Sequence, residues 1–305
     1  FLGDRAGLMV LLFVLATVLV GAYLRIRMTA RTFALLVIVF IAFDLFSINE
    51  PANKAAPYER YPLASLFAPL NTDESVTGRV VNEADLPGHF GIAYRVQDIG
   101  GISPLKIQRY DDLLKLPDDK VWGLLNVRWI VAAGNSFSNL DTVAREGDIR
   151  LAALRDAAPR AWMAEKVTVE TDDDRALARI AQADFDPRVT AILSAPPSFT
   201  PADQAHPSPV KVTRRDAEQL TFDVTTSGDG ILVVSENHYP GWRARVDGIE
   251  TPVLRADVTL RAIEVRSGAH HIEMSYDPTS FKVGAGITVL TLISLAAVLL
   301  YIRRG

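Results

Sequence analysis

The 305-residue chain has no cysteine, which removes disulfide bridges, thiol nucleophiles, iron–sulfur clusters and thiolate zinc sites together. Local signatures of other chemistry are missing too. There is no G-x-x-x-x-G-K phosphate cradle, and Gly100-Gly101 lacks the spacing of a dinucleotide fingerprint and reads as a turn. No G-x-S-x-G elbow supports a serine hydrolase. A basic stripe is also lacking. From Glu50 to Lys282 the chain carries 26 basic against 34 acidic residues, and this balance excludes nucleic acid, whose binding needs clustered Lys and Arg to displace phosphate counterions. The same block is rich enough in Val, Ile, Leu and aromatics to exclude disorder.

Outside that block the chain is poor in charge and rich in apolar residues. Residues 6–24, between Arg5 and Arg25, are 19 uncharged positions, and residues 283–302 are 20 more, bounded by Lys282 and Arg303. Each approaches the ~30 Å hydrocarbon core at about 1.5 Å per helical residue. Residues 32–48 form a run of 17 that contains Asp44. Three transmembrane helices are expected, at 6–24, 32–48 and 283–302. Asp44 has two readings, a functional carboxylate in a membrane cavity or an interfacial group near the outer headgroups. Two apolar runs in succession, without a small-residue cleavage site, do not fit a signal peptide. The chain opens on Phe1 rather than Met, and further spans are expected upstream.

Arg25, Arg27 and Arg31 occupy the short turn between the first two runs, and Arg303 and Arg304 follow the last. The positive-inside rule puts both clusters in the cytoplasm. Residues 50–281 are then extracytoplasmic, the C-terminus is cytoplasmic, and the chain is expected to be a multi-pass protein of the bacterial cytoplasmic membrane.

Within the exported block, residues 50–195 read as an α+β or α/β-type subdomain. Strands are expected at 79–82, 93–96, 127–133 and 189–193, a helix at 110–116 stopped by Pro117, and a helix at 172–183 capped by Thr171 or Asp172. Pro196, Pro197, Pro201, Pro207 and Pro209 mark residues 196–209 as an extended linker. Residues 210–281 carry strand-like runs at short spacing, at 220–225, 230–235, 242–246, 249–254, 258–265 and 270–276, which read as a C-terminal antiparallel β-sandwich. Asp247-Gly248 predicts a type I′ hairpin pairing Val246 with Ile249 and placing Arg245 opposite Glu250. A second hairpin is expected at Ser267-Gly268, followed by a strand whose His270, Ile272, Met274 and Tyr276 face the core.

Candidate sites are few. His270 and His271 are neighbours on a strand, so they point to opposite faces and do not share a metal. Asp172, Asp173 and Asp174 complement a helix dipole better than they hold a cation. No metal site, cofactor or catalytic residue is assigned. Asn237, His238, Tyr239 and Trp242, in the stretch Asn237-His-Tyr-Pro-Gly-Trp, form the one candidate binding set. Aromatic, amide and imidazole groups on a loop suit the C–H faces and hydroxyls of a sugar, while the competing reading places Trp242 in the core.

Several stretches resemble one family. Asn237-His-Tyr-Pro-Gly-Trp-Arg-Ala-Arg-Val-Asp-Gly, Ser267-Gly-Ala-His, and Tyr276-Asp-Pro-Thr-Ser-Phe-Lys-Val-Gly running into the last apolar segment are similar to the C-terminal end of YfhO-type bacterial membrane proteins. Gly100-Gly-Ile-Ser-Pro-Leu, Leu124-Leu-Asn-Val-Arg-Trp-Ile-Val and Pro159-Arg-Ala fit further patterns of that family. The resemblance implies a polytopic protein like the GT-C glycosyltransferases, which move sugar from a polyprenyl-phosphate donor to a cell-envelope glycan on the outer face. The partners it implies are the bilayer, the lipid-linked sugar and the glycan. It also implies that the catalytic acid lies on a first outer loop with no counterpart here, leaving this part to bind or cover the acceptor. The alternative is a non-catalytic, membrane-anchored carbohydrate-binding or scaffold module.

Overall fold

The computed structural model describes residues 2–25, 28–49, 63–71, 78–86, 90–101, 105–202 and 210–304. Two compact units emerge, Phe1–Pro62 and Leu63–Gly305. Residues 51–62 lie outside the described residues, as do 203–209 of the expected linker and Ile102 to Pro104.

The first unit holds helices α1 (Leu2–Arg25) and α2 (Ala30–Asn49). Tyr23 stacks on Phe33 with ring centroids 4.2 Å apart, which ties the end of one helix to the start of the next. Most described apolar side chains of the pair, Phe13, Leu24 and Ile38 among them, are exposed.

Among the described residues, three sheets and six α-helices build the second unit. The first sheet contains β1 (Arg79–Glu83), β2 (Val127–Ala133), β3 (Asp141–Glu146) and β4 (Ile149–Ala153), in the order β1-β2-β4-β3. β1 and β2 run parallel, joined through the short helices α4 (Phe90–Tyr94), α5 (Gln108–Leu113) and α6 (Asp118–Leu124). Both faces of β2 are covered, as a strand in a parallel pair requires. Ile130 and Ala132 join one buried cluster, and Trp129 and Val131 join another with Phe67 of α3 (Ala64–Phe67), Phe90 and Tyr94.

The second sheet has six strands: β5 (Ala161–Met163), β6 (Lys166–Val169), β7 (Thr190–Leu193), β10 (Gly230–Asn237), β13 (Val253–Ala256) and β14 (Leu260–Val265), in the order β5-β10-β14-β13-β7-β6. β6, α7 (Asp173–Ile180) and β7 make a parallel βαβ unit. Asp172 caps α7 by accepting a hydrogen bond from the Arg175 amide at 2.9 Å, while Ala176 and Ile180 supply its buried stripe. The third sheet contains β8 (Lys211–Arg215), β9 (Gln219–Thr226), β11 (Trp242–Val246), β12 (Ile249–Thr251) and β15 (Gly268–Tyr276), in the order β12-β11-β15-β9-β8. Leu220, Phe222 and Val224 of β9 and Ile272 and Met274 of β15 share one buried cluster with Met163, Leu232, Val234 and Ile263 of the second sheet. Alternation along β9 and β15 feeds this core, as period-2 patterning dictates.

Sequence and structure part company in four places. Of the strand expected at 93–96, Ala93 and Tyr94 instead end α4 and Arg95 and Val96 follow it outside any strand, because so short a run carries no period that separates strand from helix. The expected strand at 249–254 is cut at Pro252, which cannot donate to a ladder, so β12 and β13 fall in different sheets. Ser267-Gly268 is no hairpin: β14 before it pairs with β10 and β13, and β15 after it pairs with β9 and β11, so the turn carries the chain from one sheet to the other. Strands from both sides of the proline-rich stretch also share one sheet, with β10 pairing β5 and Ala256 of β13 pairing Leu193 of β7.

β15 leads directly into α8 (Thr279–Arg304). Among the described residues, Thr279–Ala297 is the one helix long and apolar enough to cross a membrane, with mean hydropathy 1.6, and Leu12–Arg25 is a shorter apolar helix. No part of the α8 span is buried against the protein, and Leu290 and Ile293 are among its exposed side chains.

Candidate functional site

Four arginine and glutamate side chains, each far from the others in sequence, meet where the first two sheets adjoin. Arg79 opens β1, Arg160 precedes β5, Glu236 lies near the end of β10 and Arg261 lies in β14. Arg79 donates from Nη1 to the Leu125 carbonyl and the Ser235 hydroxyl, both at 2.8 Å, and from Nη2 to the Ser235 carbonyl at 2.6 Å and Glu236 Oε2 at 3.2 Å. Arg160 donates from Nε to Glu236 Oε1 at 3.0 Å, from Nη2 to the same oxygen, and from Nη1 to Gln97 Oε1 at 2.7 Å. The Glu236 carboxylate is therefore clamped between two guanidinium groups. Burial alone would raise its pKa, but Arg79 and Arg160 outweigh that and hold it below the usual carboxylate range.

Arg261 completes the cluster differently. Its Nε donates to the Asn237 carbonyl at 2.8 Å, and its guanidinium carbon lies 3.6 Å from the centre of the Trp242 ring, in cation–π range. Desolvation pushes the pKa of Arg79 down to about 10, with the Arg160 charge adding to it. Arg261 is also lowered to about 10, again by burial first, and Glu236 partly opposes the shift.

The cluster forms the inner wall of a cavity of about 590 Å³, closed on other sides by Ile92, Gln97, Asp98, Gly101, Arg215, Asp216, Leu220 and Trp242. A neighbouring cavity of about 330 Å³ shares Arg79, Glu236 and Arg261 and adds Tyr110 and Asn237. Asp98 is occupied, since its two oxygens accept the amides of Gly100 at 2.9 Å and Gly101 at 2.8 Å. That loop is the turn expected at Gly100-Gly101, and Gly101 has a φ of +63°.

Of the candidate binding set, Trp242 and Asn237 reach these cavities. Trp242 opens β11 and tilts against Tyr276 with centroids 5.6 Å apart. Asn237 ends β10 and accepts the Thr259 hydroxyl at 3.1 Å. His238 follows, its amide donating to the Thr259 carbonyl at 2.6 Å. Burial lowers the His238 pKa; a backbone hydrogen bond at Val253 opposes the shift, and repulsion from Arg255 and Arg261 adds to it. Tyr239 is 51% exposed at the loop tip. Asp44 lies on α2 in the other unit and shares no element with the cluster.

Sequence reasoning assigned no role to Arg79, Arg160, Glu236 or Arg261. Their signal was positional. Arg160 belongs to Pro159-Arg-Ala, and Gly101 to the Gly100-Gly stretch. The Leu124 and Leu125 carbonyls take hydrogen bonds from Ser235 and Arg79, and Trp242 ends Asn237-His-Tyr-Pro-Gly-Trp. Four of the quoted stretches thus reach the cluster or the two cavities it lines. The chemistry available there is recognition by charge and apolar contact, with no unpaired nucleophile or base among the cluster.

Comparison with known proteins agrees with the resemblance over part of the chain. Residues 200–288 match the model of the family described as bacterial membrane protein YfhO. A stretch of 86 residues, 28% of this chain, is 30% identical to the uncharacterized protein YfhO of Bacillus subtilis (strain 168), and it spans only 10% of that relative's length. No solved structure matches. The matched segment runs from before β8 through β15 into α8.

Proposed function

We propose that this YfhO-type membrane protein chain is the C-terminal portion of a polytopic bacterial glycosyltransferase-like protein that transfers sugar from a polyprenyl-phosphate donor to a cell-envelope glycan. In this reading α1, α2 and α8 all span the cytoplasmic membrane, and the sheets between them lie outside it, with the second and third forming a sandwich. The exported part holds or covers the acceptor, with Trp242, Tyr239, Asn237 and His238 at its recognition face. A carboxylate from another part of the protein takes the acceptor proton as the lipid phosphate leaves. One observation carries the reading. The YfhO match continues from the strands that wall the cavity into a helix of membrane length with no protein packed on it, and such an apolar surface requires a hydrocarbon environment.

The absence of native cysteine makes a clean test of the topology. Lys211→Cys in sealed right-side-out vesicles should react with a membrane-impermeant maleimide, and Thr29→Cys should react only after permeabilisation; the reverse pattern overturns the orientation. For the reaction, the full-length protein should transfer sugar from a polyprenyl donor and the present chain alone should not. Transfer by this chain alone contradicts the assignment.

The second reading, a membrane-anchored carbohydrate-binding or scaffold module without chemistry, is favoured by the cavity itself, where Glu236 is locked between Arg79 and Arg160. Glycan binding by a full-length protein that transfers no sugar decides for it.

A further inference from the structure

Buried cations in a folded protein are normally paired or fully hydrogen-bonded, because desolvating a charge without a partner is expensive. Arg261 is only 5% exposed, and its Nη1 has no hydrogen-bond partner. Its neighbours do not fill the gap. Both Glu236 oxygens are taken by Arg79 and Arg160, both Asp98 oxygens by loop amides, and Asp216 is paired with Arg214 at 2.7 Å. The inner wall therefore presents three guanidinium groups against one carboxylate, and Arg261 lines both cavities. Apolar wall is present beside it, in Trp242 and in Ile92, which is 84% exposed.

We propose that the inner end of this cavity, at Arg261 beside Trp242, binds an oxyanion carried on a polyol or sugar, a phosphate ester or a carboxylate. The planar guanidinium is suited to such groups, and a charge-assisted hydrogen bond to a desolvated arginine is about twice as strong as a neutral one. The stack on Trp242 fixes the plane of the fork in advance, so little side-chain freedom is lost on binding. The contrast with Arg150 is informative. That residue is 3% exposed with Nε and Nη2 unbonded, yet it lines neither of these two cavities.

The proposal rests on the reading of the cavity as a recognition site, and one set of titrations separates the two. The full chain in a neutral maltoside detergent is titrated calorimetrically with glycerol 3-phosphate against glycerol, and with glucuronate against glucose. At least one acid should bind about tenfold or more tightly than its neutral counterpart, and the acid that does so identifies the source of the oxyanion. Arg261→Gln should abolish the preference, and Arg261→Lys, which keeps the charge but not the fork, should restore only part of it. Should the glutamine variant fail to fold, the Arg261 Nε resonance of the wild-type chain must still shift on titration with the preferred acid. Acid and neutral forms binding equally, a preference that survives Arg261→Gln, or a resonance that does not move overturns the oxyanion site while leaving recognition intact. Binding of neither form overturns both.

Discussion

Glu236 and Asp257 are carboxylates of the same sheet, one near the end of β10 and the other in the turn between β13 and β14, and their pKa values move in opposite directions. Glu236 sits between Arg79 and Arg160 and stays ionised. Asp257 is fully buried with no cation beside it; Oδ1 accepts the Ile192 amide at 2.8 Å and Oδ2 has no partner. Burial pushes its pKa up to about 7, with that one amide as the opposing influence. Burial favours neutrality in both, and the partner decides the outcome. The cavity cluster is therefore built to keep its charges, whereas the turn acid holds the chain by hydrogen bonding to β7.

The largest expected effect breaks the first half of that contrast. Glu236→Ala leaves Arg79 and Arg160 buried without their counter-charge and should cost about 3–5 kcal/mol in a denaturant unfolding experiment. The pH dependence has a definite sign. A carboxylate held below its unfolded value contributes stability that is present above about pH 4.5 and disappears as pH falls through the folded pKa, so the Glu236→Gln midpoint should converge on wild type in acid.

Asp257 should behave in the opposite way. Its folded pKa of about 7 lies above the ordinary value of 3.8, so the contribution is complete below that ordinary value and is lost as pH rises through about 7. Asp257→Asn should gain up to about 4 kcal/mol at pH 8 and little at pH 4; an equal gain at both pH values would mean that the acid does not change its charge between them.

A smaller effect compares the two incompletely bonded arginines. Arg150→Met replaces a buried, unpaired cation by a chain of similar length and should be neutral or stabilising by about 1 kcal/mol. Its pair on β3 in the antiparallel register is Arg145, a like charge that the substitution also relieves. The smallest effect is local: Gly248→Ala, at φ +82°, should cost about 1 kcal/mol because only glycine adopts that conformation without strain.

What was legible in the sequence follows the distance between interacting residues. The Asp247-Gly248 hairpin was legible because a two-residue turn dictates its own register. Val246 pairs with Ile249 and Arg245 with Glu250, although the closest ion pair of Glu250 is the diagonal one to Arg243, at 3.5 Å. The α7 cap at Asp172 and the buried Ile272 and Met274 were equally local in origin. Ser267-Gly268 has the same turn chemistry as a hairpin, but β14 pairs with β10 across 23 to 35 residues and β15 pairs with β9 across 42 to 56, which no local pattern encodes. The cluster of residues 79, 160, 236 and 261 lies beyond local reasoning for the same reason. Trp242 and Asn237, singled out for their aromatic and amide chemistry, pointed toward it, and Arg160 lay in a stretch quoted for the family resemblance alone.

The central claim is that this cavity recognises a ligand, and Trp242 tests it most directly. Binding of a cell-envelope glycan to the detergent-solubilised chain should weaken about tenfold or more on Trp242→Ala, with cooperative unfolding retained. Glycan binding that is unchanged in the variant would return Trp242 to a purely structural role and contradict the account.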